Sequence, residues 1–314
     1  MKQEPRLKIR IARMLTIDYG KLNACIRRCL FFINFADNYG MKKILKNIRF
    51  IPYEYSQKPI LLYSAFSVIV YLLMLLKVDN AYKLIFIGFV ICLLFCLFKH
   101  LKKKSYKIIL LIFCIALLIF YFCLFEKLIF FIAEKCAKNN IAFGGVSSLL
   151  NSVGIYDLNN LIYNSSLGGA RFYGGKIICG AVNIANSIKS SNSAMYLTGR
   201  ILALFSLSGV LLTSKIDRKQ KFLLILFLLS SGIEAPCLLF LLLCEPALYF
   251  LFLILSFAGY LLSSILSVKA VFRFSPSVFE AIFLSNNKIY LICLCVLFCA
   301  VSYYLSRLVK ERRI

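Results

Sequence analysis

The sequence predicts an all-α membrane protein that crosses the bilayer several times. Apolar residues make up 61% of the chain, whereas soluble globular proteins average about 45–50%. Several apolar runs also approach or exceed the ~18 residues that indicate a membrane span. The N-terminal region is polar and basic and has no early apolar core followed by a small-residue cleavage site. We therefore predict no signal peptide there.

Six apolar runs are long enough, or nearly long enough, to cross a bilayer. They cover residues 60–76, 84–98, 108–125, 196–214, 247–270 and 289–305. Residues 141–193 differ, because they are rich in Gly, Ser and Asn and their apolar islands are too short to span alone. Irregular backbone persists at membrane depth only where protein or an aqueous cavity surrounds it. We therefore favour a re-entrant, substrate-facing surface for this region over an external loop.

The net charge of the chain is +25, and its distribution predicts the orientation of the spans. On a soluble protein such a charge would suggest a nucleic-acid partner. Here Lys and Arg lie at the ends of the apolar runs, as they do in the cytoplasmic loops of membrane proteins. We therefore predict no nucleic-acid partner and place both termini in the cytoplasm, beneath the cell (plasma) membrane. The basic segments are residues 1–58, 99–107, 215–221 and 307–313.

The apolar run 222–244 is broken near its middle. With both termini on one side, the crossings balance only if this run enters and leaves on the same side. It therefore predicts a re-entrant hairpin with Gly232-Ile233-Glu234-Ala235-Pro236 at its tip. A carboxylate inside a membrane is costly and by default marks a solute or ion pathway, and broken helices hold polar ligands in transporters. An ionised Glu234 would accept hydrogen bonds from sugar hydroxyls. The alternative is an external loop with a solvated Glu234.

The composition predicts no metal site and no cofactor. The chain has 13 cysteines and one histidine, His100. Most of the cysteines lie in apolar runs, where a buried thiol behaves as a small hydrophobe, and no pair of CxxC motifs has zinc-like spacing. Because His100 lies in a basic loop, a Ser–His–Asp set is not expected either. Cys25 differs from the other thiols discussed, since polar and basic residues surround it.

Four segments, in the same order along residues 141–314, resemble the membrane subunit (enzyme IIC) of the sugar phosphotransferase system, glucose/N-acetylglucosamine type. SGIEAPCLLFLLLCEPALYF (231–250) resembles its TGITEP-containing hairpin, and YLTGRILALFSLSGVLLTSKIDRKQK (196–221) resembles the stretch that precedes it. LLNSVGIYDLNNLIY (149–163) takes the place of its LL-P-GLHHI segment. KAVFRFSPSVFEAIF (269–283) is similar to its G-F-FSAGLID stretch.

A fifth segment, GKLNACIRRCL, resembles the LDACITRLR loop of the companion IIB domain and contains Cys25. The resemblance implies that residues 1–58 form a basic, truncated IIB-like cytoplasmic segment. It also implies that residues 59–314 form a IIC-like membrane domain with re-entrant hairpins. Cys25 then matches the cysteine that carries the phosphoryl group. Arg27 and Arg28 would stabilise its thiolate and the phosphate.

The resemblance further implies a sugar site and a set of partners. Tyr156, Asp157, Gly232 and Glu234 lie in the segments that match the family's sugar-binding segments. Glu234 or Asp157 would accept hydrogen bonds from the sugar and act as general base toward the attacking hydroxyl. The implied function is uptake of a hexose-type sugar coupled to its phosphorylation. The implied partners are a phosphorylated IIA-type donor protein, membrane lipid and a second copy of the chain in a homodimer.

Three departures from the family pattern keep two other functions open. The family's His pair is Tyr156-Asp157 here, the acid that should directly precede Pro stands one position earlier as Glu234, and the IIB-like segment is short. A shift of one residue turns a helical side chain by about 100°. One alternative is a diverged transporter that moves a small polar solute without phosphorylating it. The other is a catalytically inactive membrane protein, either a relic or a partner of intact components.

Overall fold

The computed structural model describes a helical membrane protein, and every residue that it describes lies in one compact unit, Ile48–Ile314. The residues described are 52–76, 78, 80–125, 128–129, 131–132, 140–156, 158, 170–173, 176–179, 194–266, 270, 277–285 and 287–311. The predicted division between residues 58 and 59 falls inside the first helix, Tyr53–Leu75. It stays a prediction, because residues 1–51 lie outside this set.

Ten α-helices are found in the described part of the chain. They are α1 (Tyr53–Leu75), α2 (Lys83–His100), α3 (Lys104–Phe120), α4 (Asn140–Ser152), α5 (Ala194–Thr213), α6 (Arg218–Ser231), α7 (Ala235–Cys244), α8 (Pro246–Ile265), α9 (Val278–Leu284) and α10 (Lys288–Glu311). A π-helical turn, Tyr121–Phe125, continues α3. Among them, α1, α2, α3, α8 and α10 are long and apolar enough to cross a bilayer. The predicted multi-pass helical membrane protein is therefore confirmed.

One short β-hairpin interrupts the helical pattern. Strand β1 (Ala170–Tyr173) pairs antiparallel with β2 (Lys176–Cys179), and Ala170 lies opposite Cys179. In the sequence only Gly174-Gly175 separates the strands, and a Gly-Gly pair is a typical two-residue hairpin connection. Part of the short apolar island that begins at Ile177 is therefore a strand and not a helix. The helical period that identifies the spans does not predict this element.

Two groups of helices form the core. In one group α5 packs against α8 and α10, and α8 also packs against α4; in the other α1 packs against α2, α6 and α7. Helix α7 joins the groups, since it contacts α1, α2, α4 and α8. Small residues allow such close helix approach in membranes. A Cβ at Gly144 of α4 or at Gly199 of α5 would overlap the ring of Tyr260, which is itself 1% exposed.

The helix ends that carry basic residues meet at one end of the bundle, which we call the basic face. Near the start of α1, Ser56 Oγ lies 3.1 Å from Sγ of Cys244, the last residue of α7. The Tyr55 ring centroid is 6.3 Å from that of His100, the last residue of α2. The amide N–H of Lys215, just after α5, donates to Glu245 at 2.6 Å. These contacts, together with the ion pair between Glu245 and Lys310 of α10, bring the basic segments 99–107 and 215–221 to the same end as the C-terminus of α10.

Helices α6 and α7 form a helical hairpin that starts and ends at the basic face. They contain 14 and 10 residues, which at about 1.5 Å per residue gives lengths of about 21 and 15 Å. Neither length crosses a hydrocarbon core of about 30 Å. The turn is made by Gly232, whose φ of +66° is left-handed and whose N–H donates to Leu228 O at 2.8 Å. Pro236 then lies in the first turn of α7, where its missing N–H costs nothing.

Candidate functional site

Glu234 lies at the tip of the α6–α7 hairpin and is 1% exposed. It directly precedes α7, after the left-handed turn at Gly232. A solvated Glu234 on an external loop would be exposed, so that alternative does not fit this position. The carboxylate is instead enclosed by α4, α5 and the segment that follows α4.

The two carboxylate oxygens of Glu234 have different surroundings. Oε2 accepts a hydrogen bond from Asn151 Nδ2 of α4 at 3.4 Å. Oε1 is buried and has no hydrogen-bond partner among the residues that the structure describes. A buried polar atom without a partner costs about 1–3 kcal/mol, and such exceptions in native proteins are often functional. Oε1 is therefore an acceptor available to a bound solute.

Tyr156 holds the backbone of the hairpin tip. Its hydroxyl accepts hydrogen bonds from the N–H groups of Glu234, at 2.7 Å, and Ala235, at 3.2 Å. The first N–H groups of a helix have no partner within it, so this hydroxyl caps α7 from outside. The bend after α4 brings Tyr156 to this position. That bend requires Gly154, whose φ is +82° and where a Cβ would lie 2.9 Å from Phe89 Cβ.

Arg200 of α5 adds a buried cation that the sequence reasoning missed. It is 2% exposed, and its Cζ lies 5.2 Å from the centroid of the Tyr156 ring, within cation–π range. It is also close enough to Glu234 to interact with it electrostatically. Charges inside a bilayer are found paired or facing the bundle interior. Arg200 therefore brings a buried positive charge near the Glu234 carboxylate.

Three pairs of hydroxyl groups connect α4 to α8 beside this site, and we call them the hydroxyl seam. Tyr249 OH donates to Ser152 Oγ at 2.8 Å, Ser148 Oγ lies 2.6 Å from Ser256 Oγ, and Ser147 Oγ lies 3.4 Å from Tyr260 OH. Asn151 lies on the same face of α4, because residues three and four apart are helical neighbours. The spacing of Ser147, Ser148, Asn151 and Ser152 was the sequence signal for this polar face.

A second ionic cluster closes the basic face. Glu245, which is 7% exposed, accepts from the Lys215 N–H at 2.6 Å and forms an ion pair with Lys310 Nζ at 2.8 Å. Lys310 Nζ also donates to the carbonyl of Thr213. We call this group the basic-face clasp. It ties together the C-terminal ends of α5 and α10 and the junction of α7 with α8.

The structure places some of the predicted site residues and not others. Glu234 and Tyr156 are in contact, and Gly232 shapes the turn beside them. Asp157, Cys25, Arg27 and Arg28 lie outside the described residues, so their predicted roles stay predictions. Within the described part of the chain, no group of three or more His, Cys, Asp or Glu side chains is arranged to hold a metal ion.

No protein-family model, curated protein or solved structure matches the chain. The resemblance to enzyme IIC therefore stays a prediction from the sequence.

Proposed function

We propose that the protein is a membrane carrier that takes up a hexose-type sugar at Glu234, coupled to phosphorylation of the sugar by Cys25. The observation that carries the transport half is the Glu234 carboxylate, buried at the tip of a helical hairpin with one oxygen available as an acceptor. Evolution retains such an acid at membrane depth chiefly for a solute pathway. The hairpin is, in this proposal, re-entrant from the cytoplasm.

The depth of Glu234 fits a carrier site. Helix α7 begins directly after Glu234 and reaches the basic face at Cys244 after 10 residues. Its length of about 15 Å is half of a hydrocarbon core of about 30 Å. Carriers bind solutes near the bilayer midplane, at the ends of discontinuous helices. Because Glu234 is buried, the described conformation is closed, and a solute enters only after the helices around the site separate.

The charge of the site favours a neutral solute. Glu234 accepts hydrogen bonds, and Asn151 and Arg200 are donors. The Tyr156 hydroxyl is a donor, since its oxygen already accepts two backbone N–H groups. A sugar ring presents several hydroxyl groups, each both donor and acceptor, and therefore matches this mixture. A lone cation or anion would instead meet a charge of its own sign at Arg200 or Glu234.

The phosphorylation half of the proposal is carried by the family resemblance. The phosphoryl group would pass from Cys25 Sγ to a sugar hydroxyl oxygen, so that the S–P bond breaks as the O–P bond forms. Glu234 or Asp157 would take the hydroxyl proton, and Arg27 and Arg28 would neutralise the phosphate. A phosphorylated IIA-type protein would reload Cys25 from the cytoplasm. The protein would act as a homodimer in the plasma membrane, with both termini cytoplasmic.

A specific observation favours transport without phosphorylation as the second candidate. His100 is the chain's only histidine, and its ring lies at the basic face against Tyr55. It therefore does not reach the tip of the hairpin. The sugar site then has only carboxylates to accept the hydroxyl proton, and a carrier that moves free sugar needs no such acceptor.

Vesicle uptake distinguishes the candidates. Right-side-out vesicles are loaded with or without a phosphorylated IIA-type donor protein. They are then given radiolabelled glucose or N-acetylglucosamine from outside. Accumulated sugar phosphate that is lost in Cys25→Ser supports the coupled reaction, and accumulated free sugar supports the second candidate. In either case Glu234→Gln should abolish most uptake, while Glu54→Gln, on the exposed start of α1, should not. No uptake by the wild-type protein would contradict both and leave an inactive membrane protein.

A further inference from the structure

We propose that the hydroxyl seam between α4 and α8 is the path along which the sugar reaches Glu234 and leaves it again. This inference rests on the proposed carrier function and assigns a role to six hydroxyl-bearing residues and their helix pair. The seam residues are Ser147, Ser148 and Ser152 of α4 and Tyr249, Ser256 and Tyr260 of α8.

The seam extends through much of the membrane. On α8 it begins at Tyr249, three residues after the helix starts at the basic face, and ends at Tyr260. At about 1.5 Å per residue the two tyrosines are about 16 Å apart along the axis. That distance is about half of a hydrocarbon core of about 30 Å. Hydroxyl groups thus line one helix interface from near the basic face past the membrane centre.

The seam is continuous with the Glu234 site. Asn151 lies between Ser148 and Ser152 on α4 and donates to Glu234 Oε2. The other carboxylate oxygen, Oε1, is buried with no hydrogen-bond partner among the described residues. A solute that separates α4 from α8 therefore passes from the seam hydroxyl groups to an available carboxylate oxygen.

The chemistry of the seam fits a neutral polyhydroxylated solute. A hydroxyl group donates once and accepts twice. When Ser148 parts from Ser256, each can bond to a hydroxyl of the solute instead, so the one hydrogen bond that is lost is replaced. The seam residues carry no charge and offer an ion no counter-charge. Hydrogen bonds between membrane helices also act as structural contacts, and the experiment must separate the two roles.

The described conformation holds the seam shut. A Cβ at Gly145 of α4 would overlap the ring of Phe257, and one at Gly144 would overlap the ring of Tyr260. The helices are therefore in van der Waals contact, and the path opens only when α4 moves away from α8. Helix α4 has 13 residues, or about 20 Å.

Cysteine accessibility tests the path directly. The variants Ser148→Cys, Glu234→Cys and Ser302→Cys are treated in membrane vesicles with a charged, impermeant methanethiosulfonate, and the wild-type rate is subtracted. Ser302 is the matched control, because its hydroxyl lies 2.9 Å from Ser206 in a buried pair between α5 and α10. We expect Ser148→Cys to react at least about tenfold faster than Ser302→Cys, since a minor open state exposes it. Glucose or N-acetylglucosamine should slow this reaction.

The outcomes separate this inference from the proposed function. Reaction at Glu234→Cys without reaction at Ser148→Cys would overturn the seam path and leave the carrier site standing. No reaction at either position would overturn both. Equal rates at Ser148→Cys and Ser302→Cys would show that the seam is an ordinary helix contact, which also overturns the path.

A paired alanine comparison gives a second readout. Ser148→Ala with Ser256→Ala removes one seam pair, and Ser206→Ala with Ser302→Ala removes the control pair. Both lose one buried hydroxyl contact between two helices. We expect only the seam variant to lose uptake, by about tenfold. A tenfold loss corresponds to about 1.4 kcal/mol, as for the loss of one contact. Equal uptake in both variants, at equal amounts in the membrane, would contradict the inference.

Discussion

The Tyr156 hydroxyl should be a major support of the hairpin tip, and Tyr156→Phe tests this. The substitution removes one oxygen and keeps the ring that Arg200 contacts. It leaves the N–H groups of Glu234 and Ala235 buried without their acceptor. An orphaned buried donor costs about 1–3 kcal/mol, and the longer of the two bonds is the weaker, so we expect a total loss of about 2–4 kcal/mol.

The assay is reversible unfolding of the purified protein in mixed micelles, with the free energy of unfolding taken from the denaturant midpoint and slope. Tyr304→Phe is the matched control, since Tyr304 is on α10 and its side chain is 61% exposed. The control should change the free energy of unfolding by less than about 0.5 kcal/mol. A Tyr156→Phe protein as stable as the control would refute the view that this hydroxyl holds the start of α7.

Three further predictions concern charges and the turn. The losses of unfolding free energy caused by Glu245→Gln and by Lys310→Met should be non-additive, with a coupling energy of about 0.5–3 kcal/mol in a double-mutant cycle. Additive losses would contradict the basic-face clasp. Arg200→Gln should destabilise the protein by about 1–3 kcal/mol, because it removes a buried positive charge that interacts with Glu234. Adding Glu234→Gln should then restore stability, and a double variant no more stable than Arg200→Gln would show that the two charges do not compensate. Gly232→Ala should cost about 1–2 kcal/mol, since its φ of +66° is unfavourable for a residue with a Cβ; an unchanged midpoint would mean that the turn relaxes.

The spans were predictable because the signal is local. Apolar length identifies α1, α2, α8 and α10, and their bounds differ from the predicted runs by only a few residues at most ends. The broken run 222–244 also predicted a turn at Gly232, since Gly and Pro end helices whatever surrounds them. The fold of residues 141–193 was harder to predict from the sequence. Its apolar islands are short, and neither the 13-residue α4 nor the β-hairpin has a membrane-length pattern.

The site was only half predictable, because burial of polar groups depends on contacts distant in sequence. Glu234 stood out as an acid beside a helix break. Arg200 did not, since it lies near the start of an apolar run, where arginine commonly reaches the membrane surface. Its burial follows from the packing of α5 against α8 and α10. The pairing of Ser148 with Ser256, 108 positions apart, depends on how α4 meets α8, and spacing within α4 alone does not reveal the partner.

Direct binding of sugar tests the central claim that the buried carboxylate of Glu234 is a solute site. Calorimetric titration of the purified protein with glucose and with N-acetylglucosamine compares the wild type, Glu234→Gln and Glu54→Gln. A hydrogen bond to a charged group contributes about 1.5–3 kcal/mol, so Glu234→Gln should weaken binding by about tenfold or more, while Glu54→Gln should bind like the wild type. Equal affinity of the Glu234→Gln and wild-type proteins for the bound sugar would contradict the account.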